Sequence, residues 1–169
     1  MTVPVLAIVG FSNSGKTTLM EKLIVELASR GLRVASIKHS HHQPEMDTPG
    51  KDSWRHKQAG AQASMLVGPE KMLMVVDIDS QPTPRQLADC YFSDYDLVLV
   101  EGYASMACRK VEVVRGGHST DLRCDEQDLL AVVTDMEELS IAVPKLKLND
   151  VISVADFIVN WAQGEREHG

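Results

Sequence analysis

The sequence predicts an α/β fold in three layers: a mostly parallel sheet between helices, with a β-hairpin protruding from it. Three observations lead there. Strand-like and helix-like segments alternate along the chain. Two strand-like runs, Val5-Leu6-Ala7-Ile8-Val9 and Leu97-Val98-Leu99-Val100, are unbroken and apolar, as in strands buried on both faces. Directly after the first comes Gly10-Phe11-Ser12-Asn13-Ser14-Gly15-Lys16-Thr17, which has the full G-x-x-x-x-G-K-T spacing of a phosphate-binding loop and opens a helix. Strand, loop and helix in that order describe a P-loop NTPase fold.

The remaining elements follow in turn. Leu19, Met20, Leu23, Ile24, Leu27 and Ala28 recur at helical spacing, and Gly31 supplies the stop. Val34-Ala35-Ser36-Ile37 reads as a second strand, followed by Lys38-His39-Ser40-His41-His42 and a polar loop through Pro44 and Pro49. Asp52-Ser53 begins a helix to about Ala59, closed by Gly60. Ser64–Gly68 and Met72–Val76 form a hairpin across Gly68-Pro69-Glu70-Lys71. A helix from Pro84 to Tyr91 has Thr83 at its N-cap and proline at its first position. Lys110–Arg115 alternates as a half-buried, charged edge strand, and Leu129–Val133 is a short apolar strand. The last helix spans about Val151 to Ala162, capped by Asn149 or Asp150, and residues 164–169 form a frayed tail. The expected organisation is one nucleotide-binding domain, residues 1–163, in which the hairpin at 64–76 carries dimerisation. That hairpin is apolar on both faces, and only one face can cover its own domain.

Composition narrows the function. The 169 residues are 44% hydrophobic and 24% charged, ordinary for a soluble domain. A net charge of -7 and 5% aromatic content argue against a nucleic-acid or acidic-membrane surface. Cys90, Cys108 and Cys124 make an odd number with no C-x-x-C pair, which suits free thiols in a reducing compartment. The first strand begins too early for a signal segment, and no apolar run reaches membrane-spanning length, so the expected location is cytoplasmic.

Chemistry gathers at the carboxyl ends of the predicted strands, where ligands sit in such sheets. Gly10 and Gly15 permit the backbone angles that turn the N–H groups of Ser12, Asn13, Ser14 and the helix start through Thr18 toward phosphate oxygens. Lys16 supplies a mobile ammonium for the β/γ-phosphates, and the Thr17 hydroxyl is a ligand for Mg²⁺. Glu101, followed by Gly102, stands where these folds put the acid that holds the metal through water or polarises an attacking water. Asp is commoner there. Asp47 and Asp52 lie in a polar loop able to order around a γ-phosphate, or act as helix caps. Asp135 either accepts the N1–H and N2–H₂ edge of guanine or caps a following helix; the Asn-Lys-x-Asp guanine reader is absent. His39, His41 and His42 beside Lys38 contact an anionic ligand, bind a transition metal or line a solvated loop.

Taken together, Gly10–Thr18, Lys38-His39-Ser40-His41-His42, Gly50-Lys51-Asp52-Ser53, Ala59-Gly60-Ala61 and Leu97–Gly102 resemble the molybdopterin-guanine dinucleotide biosynthesis protein B family. The resemblance runs in order through Asn149-Asp150 and the last helix. It implies a GTP-binding homodimer of the bacterial cytoplasm, with at most slow GTP hydrolysis. Such a protein is an accessory factor to the guanylyltransferase that attaches GMP to molybdopterin. It further implies that Lys16 and Thr17 hold phosphates and Mg²⁺ and that Glu101 is the strand-end acid. The His39–His42 segment with Asp47, Lys51 and Asp52 lines the same pocket or a surface for molybdopterin. Two other readings stay open: a P-loop small-molecule kinase with its acceptor in the loop from His39 to Asp52, and a metallochaperone GTPase using the histidines.

Overall fold

A computed structural model describes residues 2–40, 42–43, 47–117 and 121–168. The chain divides into two compact units, one formed by 1–39 with 83–169 and the other by 40–82.

The larger unit is built on a six-stranded sheet. Its strands are β1 (Val5–Val9), β2 (Val34–Lys38), β5 (Leu97–Glu101), β6 (Arg109–Val114), β7 (Leu129–Thr134) and β8 (Lys145–Lys147), in the order β2-β5-β1-β6-β7-β8. Every pairing among them is parallel. Alternation along the strands sorts the side chains to two faces. Leu6, Ile8, Leu97, Leu99, Val111, Val113, Ala131 and Val133 pack against α1 (Lys16–Ser29) and α4 (Val151–His168) through Leu19, Leu23, Leu27, Val154, Ala155 and Ile158. Val5, Ala7, Val9, Val98 and Val100 face α3 (Pro84–Tyr91) through Ala88, together with Tyr103, Met106 and Cys108. Those last three come from the connection 102–108, which carries the chain from β5 past β1 to β6. A short irregular segment thus covers part of a face that the alternation pattern assigns to helices.

Local chemistry explains the boundaries. Helix α1 ends with Gly31 at φ 82°, where Gly31 N–H donates to Ala28 O at 2.9 Å and Leu32 N–H to Leu27 O at 3.2 Å. This paired arrangement satisfies two carbonyls of the last turn and needs a left-handed residue. Helix α3 begins as expected at Pro84, and Gln86 completes a reciprocal cap: its N–H donates to Thr83 Oγ1 at 3.2 Å while its side chain accepts from Thr83 N–H at 2.9 Å.

Two expectations need correction, and one strand was not expected. β6 is no edge strand: it lies between β1 and β7, with Lys110 and Glu112 both fully buried. The charges are tolerated because Lys110 Nζ reaches Asp128 Oδ2 at 3.0 Å and Glu112 accepts two backbone hydrogen bonds. Residues 164–168 are helical rather than frayed, since α4 continues to His168 and Arg166 donates to the carbonyl and carboxylate of Asp96; residue 169 lies outside the described residues. β8, three residues long, carries no apolar run and is absent from the sequence reading.

The smaller unit holds α2 (Asp52–Gln58) and an antiparallel hairpin of β3 (Ala63–Val67) and β4 (Met72–Val76). Gly68 N–H to Lys71 O at 2.8 Å closes the turn, and Ser64 Oγ donates to Ser53 O at 3.2 Å. Lys57 ties the hairpin base, donating to Ala61 O at 2.7 Å and pairing with Asp77 at 2.7 Å. Met65, Leu66, Val67, Met72 and Val76 are exposed.

Candidate functional site

After β1 the chain turns at Gly10, whose φ of 142° lies in a region L side chains rarely adopt. A Cβ there would stand 2.5 Å from Val113 O and 2.9 Å from Ser14 Oγ, so the position accepts only glycine. Asn13 at φ 61° and Gly15 at φ 97° continue the left-handed path, and Ser14 N–H donates to Phe11 O at 3.2 Å. Gly15 is the N-cap of α1 and gives it no side-chain cap, so the positive end of a 14-residue helix adjoins the loop. The Ser14 hydroxyl is buried with no hydrogen-bond partner among the described residues. Ser12, Asn13, Thr17 and Thr18 are exposed around it.

Three strands bring the polar groups together. Lys38, Glu101 and Ile8 are register partners across β2, β5 and β1. Glu101, only 6% exposed, accepts on Oε1 from Thr17 Oγ1 at 2.9 Å and from the Lys38 ammonium. Gly102, at φ 100°, leaves room for His39, whose Cβ would lie 3.2 Å from an added methyl. His39 N–H donates to Glu101 O at 3.0 Å, and its ring lies 4.4 Å from that of Tyr103. Lys16 Nζ donates to Phe11 O at 2.7 Å. Its pKa falls below 10.5, chiefly because burial penalises the charge; Lys38 and Arg123 push the same way and Glu101 opposes them. Thr17 and Glu101 form a hard oxygen donor pair that fits Mg²⁺.

A second group of residues lies beyond β7 and β8. Thr134, Asp135, Met136, Lys145, Lys147, Leu148 and Asn149 line a cavity of about 410 Å³, large enough for a nucleobase. A smaller one, about 170 Å³, is walled by Gly15, Thr18, Lys22 and Arg115. Leu148 and Asn149 border both, so the two cavities adjoin along a shared groove wall between the start of α1 and Asp135. Asp135 Oδ1 accepts Gly116 N–H at 2.7 Å, and the residues after it form turns, so it caps no helix. Capping of α4 falls to Asp150, which accepts Ser153 N–H at 3.1 Å and Ser153 Oγ at 2.8 Å, and leaves Asn149 at the groove.

The remaining sequence candidates lie in the smaller unit. Asp47 Oδ1 accepts Thr48 N–H at 2.8 Å and Ser53 Oγ at 3.3 Å, while its Oδ2 is buried with no partner among the described residues. Lys51 is the N-cap residue of α2, and Asp52, in its first turn, is exposed with Arg55 at 3.8 Å. His42 N–H donates to Ser40 Oγ at 3.1 Å; His41 lies outside the described residues. Among the described residues no three His, Cys, Asp or Glu side chains gather as a metal site.

Arg123 was not among the sequence candidates. It comes from the irregular stretch between β6 and β7, yet its Nη1 lies 3.4 Å from Gly10 O and its guanidinium 5.9 Å from the Phe11 ring centre. No pattern around it marks this role.

The loop angles, the buried acid at the end of β5 and the parallel sheet define a P-loop NTPase-like α/β protein. A sequence profile of the family described as Molybdopterin guanine dinucleotide synthesis protein B matches residues 5–135. The chain is 39% identical to the molybdopterin-guanine dinucleotide biosynthesis adapter protein of Haemophilus influenzae, over 94% of this chain and 89% of that protein. It is 35% identical to the Escherichia coli protein of the same description, over 95% and 94%. A solved structure of molybdopterin-guanine biosynthesis protein B superposes with a TM-score of 0.75 at 29% identity, covering 94% of this chain and 99% of the other. For Bacillus subtilis MobB the TM-score is 0.74 at 24% identity, over 93% and 96%, a likeness of fold. The chain belongs to the molybdopterin guanine dinucleotide synthesis protein B family.

Proposed function

We propose that this chain binds GTP with Mg²⁺ and acts as an adapter in molybdopterin guanine dinucleotide biosynthesis, the process named for its relatives. The observation that carries the reading is the groove: Leu148 and Asn149 wall both the cavity beside Gly15 and Thr18 and the one containing Asp135. A triphosphate on the loop extends its base along that groove to the carboxylate. Lys16 and the N–H groups of residues 12–18 neutralise and orient the phosphates. Thr17 and Glu101 hold Mg²⁺, which when bound withdraws charge from the phosphate oxygens. Lys38, already on Glu101, shares that carboxylate. Asp47, Lys51 and Asp52, with the histidine segment, serve nucleotide or molybdopterin.

The protein on which the loaded adapter acts is the guanylyltransferase that joins GMP to molybdopterin. Hydrolysis is slow at best, with Glu101 orienting water. The exposed hairpin residues Met65, Leu66, Val67 and Met72 form the contact of a homodimer. No helix among the described residues is long and apolar enough to cross a membrane; the adapter proposed here works in the cytoplasm. A competition titration of GTP against ATP, with and without Mg²⁺, tests the reading. GTP should win, and Lys16→Ala should weaken it about thirtyfold with an unchanged circular dichroism spectrum, the scale of a lost charge-assisted contact. A folded K16A variant with wild-type affinity refutes it.

A further inference from the structure

Glu112 has no part in that scheme, although it is a fully buried carboxylate in the central strand β6. Burial raises its pKa, against the pull of the hydrogen bonds it receives. Such a group costs several kcal/mol unless its oxygens are satisfied. Here they are satisfied by two successive backbone donors: Arg123 N–H reaches Oε1 at 2.6 Å and Cys124 N–H reaches Oε2 at 3.1 Å. The strand therefore grips residues 121–125, which form no helix or strand, at the residue whose guanidinium meets the phosphate loop at Gly10 O, over Phe11.

We propose that Arg123 is a second phosphate-binding cation of this site and that Glu112 is its positioning residue, fixing the backbone from which the guanidinium reaches the loop. The proposal rests on the reading of residues 10–17 as a triphosphate site. The Gly10 carbonyl occupies one of five guanidinium N–H donors, which leaves a planar fork for phosphate oxygens. Arg123 also lies near enough to Lys16 to disfavour its charge. Lys16 and Arg123 reach successive carbonyls of the same loop, Phe11 O and Gly10 O, so a ligand on the loop with several negative charges can engage both cations. Arginine is suited to this task because its fork matches phosphate geometry and its charge does not titrate away. The ligand class is a nucleoside polyphosphate, with the additional contact falling on its phosphate chain.

The test measures displacement of a fluorescent GTP analogue by GTP and by inorganic tripolyphosphate, in low and high NaCl. Arg123→Gln should weaken both competitors about tenfold at low salt, the loss shrinking as salt screens it. Arg123→Lys should recover part of the loss. Glu112→Gln should weaken GTP less than R123Q does, and the E112Q/R123Q double variant should be no weaker than R123Q alone. R123Q within twofold of the wild type for both competitors overturns the role of Arg123, and additive losses in the double variant overturn that of Glu112. If R123Q is silent while Lys16→Ala weakens GTP about thirtyfold, only this inference fails; if K16A is silent too, the phosphate site itself is refuted.

Discussion

Asp135 has a neighbour for each oxygen: Gly116 N–H on Oδ1, and the Arg115 guanidinium 3.9 Å from Oδ2. Oδ1 holds Gly116 N–H at 2.7 Å, while the side chain also lines the larger cavity. Asp135→Asn keeps an oxygen for Gly116 and removes the anionic acceptor that guanine, unlike adenine, can engage with two donors. The proposed GTP-over-ATP preference should fall about tenfold while ATP affinity stays level, measured by paired calorimetric titrations. An undiminished preference would assign base selection elsewhere in the groove. At this scale legibility depended on how far apart partners stand in the chain. Gly10, Gly15, Lys16 and Thr17 are readable because their spacing is itself the chemistry. Arg123 is not, because its contacts lie 11 residues away at Glu112 and 113 away at Gly10.

Among the elements, the end of α4 shows what a run of apolar residues leaves unsaid. Its apolar stripe fades after Ala162, which suggests a stop, yet Arg166 reaches Asp96 and holds the final turns. The Asp96 carboxylate also accepts Arg33 N–H at 2.7 Å, and that bond is the main reason its pKa falls below 3.8. A depressed acid stabilises the fold fully above its unfolded value of 3.8 and loses that contribution as pH falls through the folded one. Asp96→Asn should therefore cost less than about 1 kcal/mol at neutral pH, because Asn keeps an oxygen for Arg33 N–H and solvent screens the lost charge, and it should flatten the acid limb of the melting curve. Thermal melts from about pH 2 to 7 should show the wild-type and variant profiles converging at the acid end. Parallel profiles would mean that Asp96 is not the titrating group. Helix α3 was legible to the residue, since Thr83 and Pro84 announce its start in sequence, whereas β8 consists of Lys145, Leu146 and Lys147 and announces nothing.

For the molecule as a whole, the parallel sheet was readable from β1, β5 and β7, whose apolar runs leave no polar face for water. The proposed dimer makes its own demand. Val67 and Met72 are 70% and 69% exposed on paired positions of the hairpin. Replacing both with Glu should convert a sedimenting dimer to monomer while GTP affinity per chain is retained. Monomeric wild-type protein at micromolar concentration would remove the dimer from the scheme. The charges in β6 bear on folding rather than on binding. Moved by one residue, that strand would drive Lys110 and Glu112 in among Leu19, Leu23 and Ile158, away from Asp128 and from the 123–124 amides. Stranding two ions in hydrocarbon costs several kcal/mol, so a misthreaded sheet is penalised where an all-valine strand would have slid almost freely.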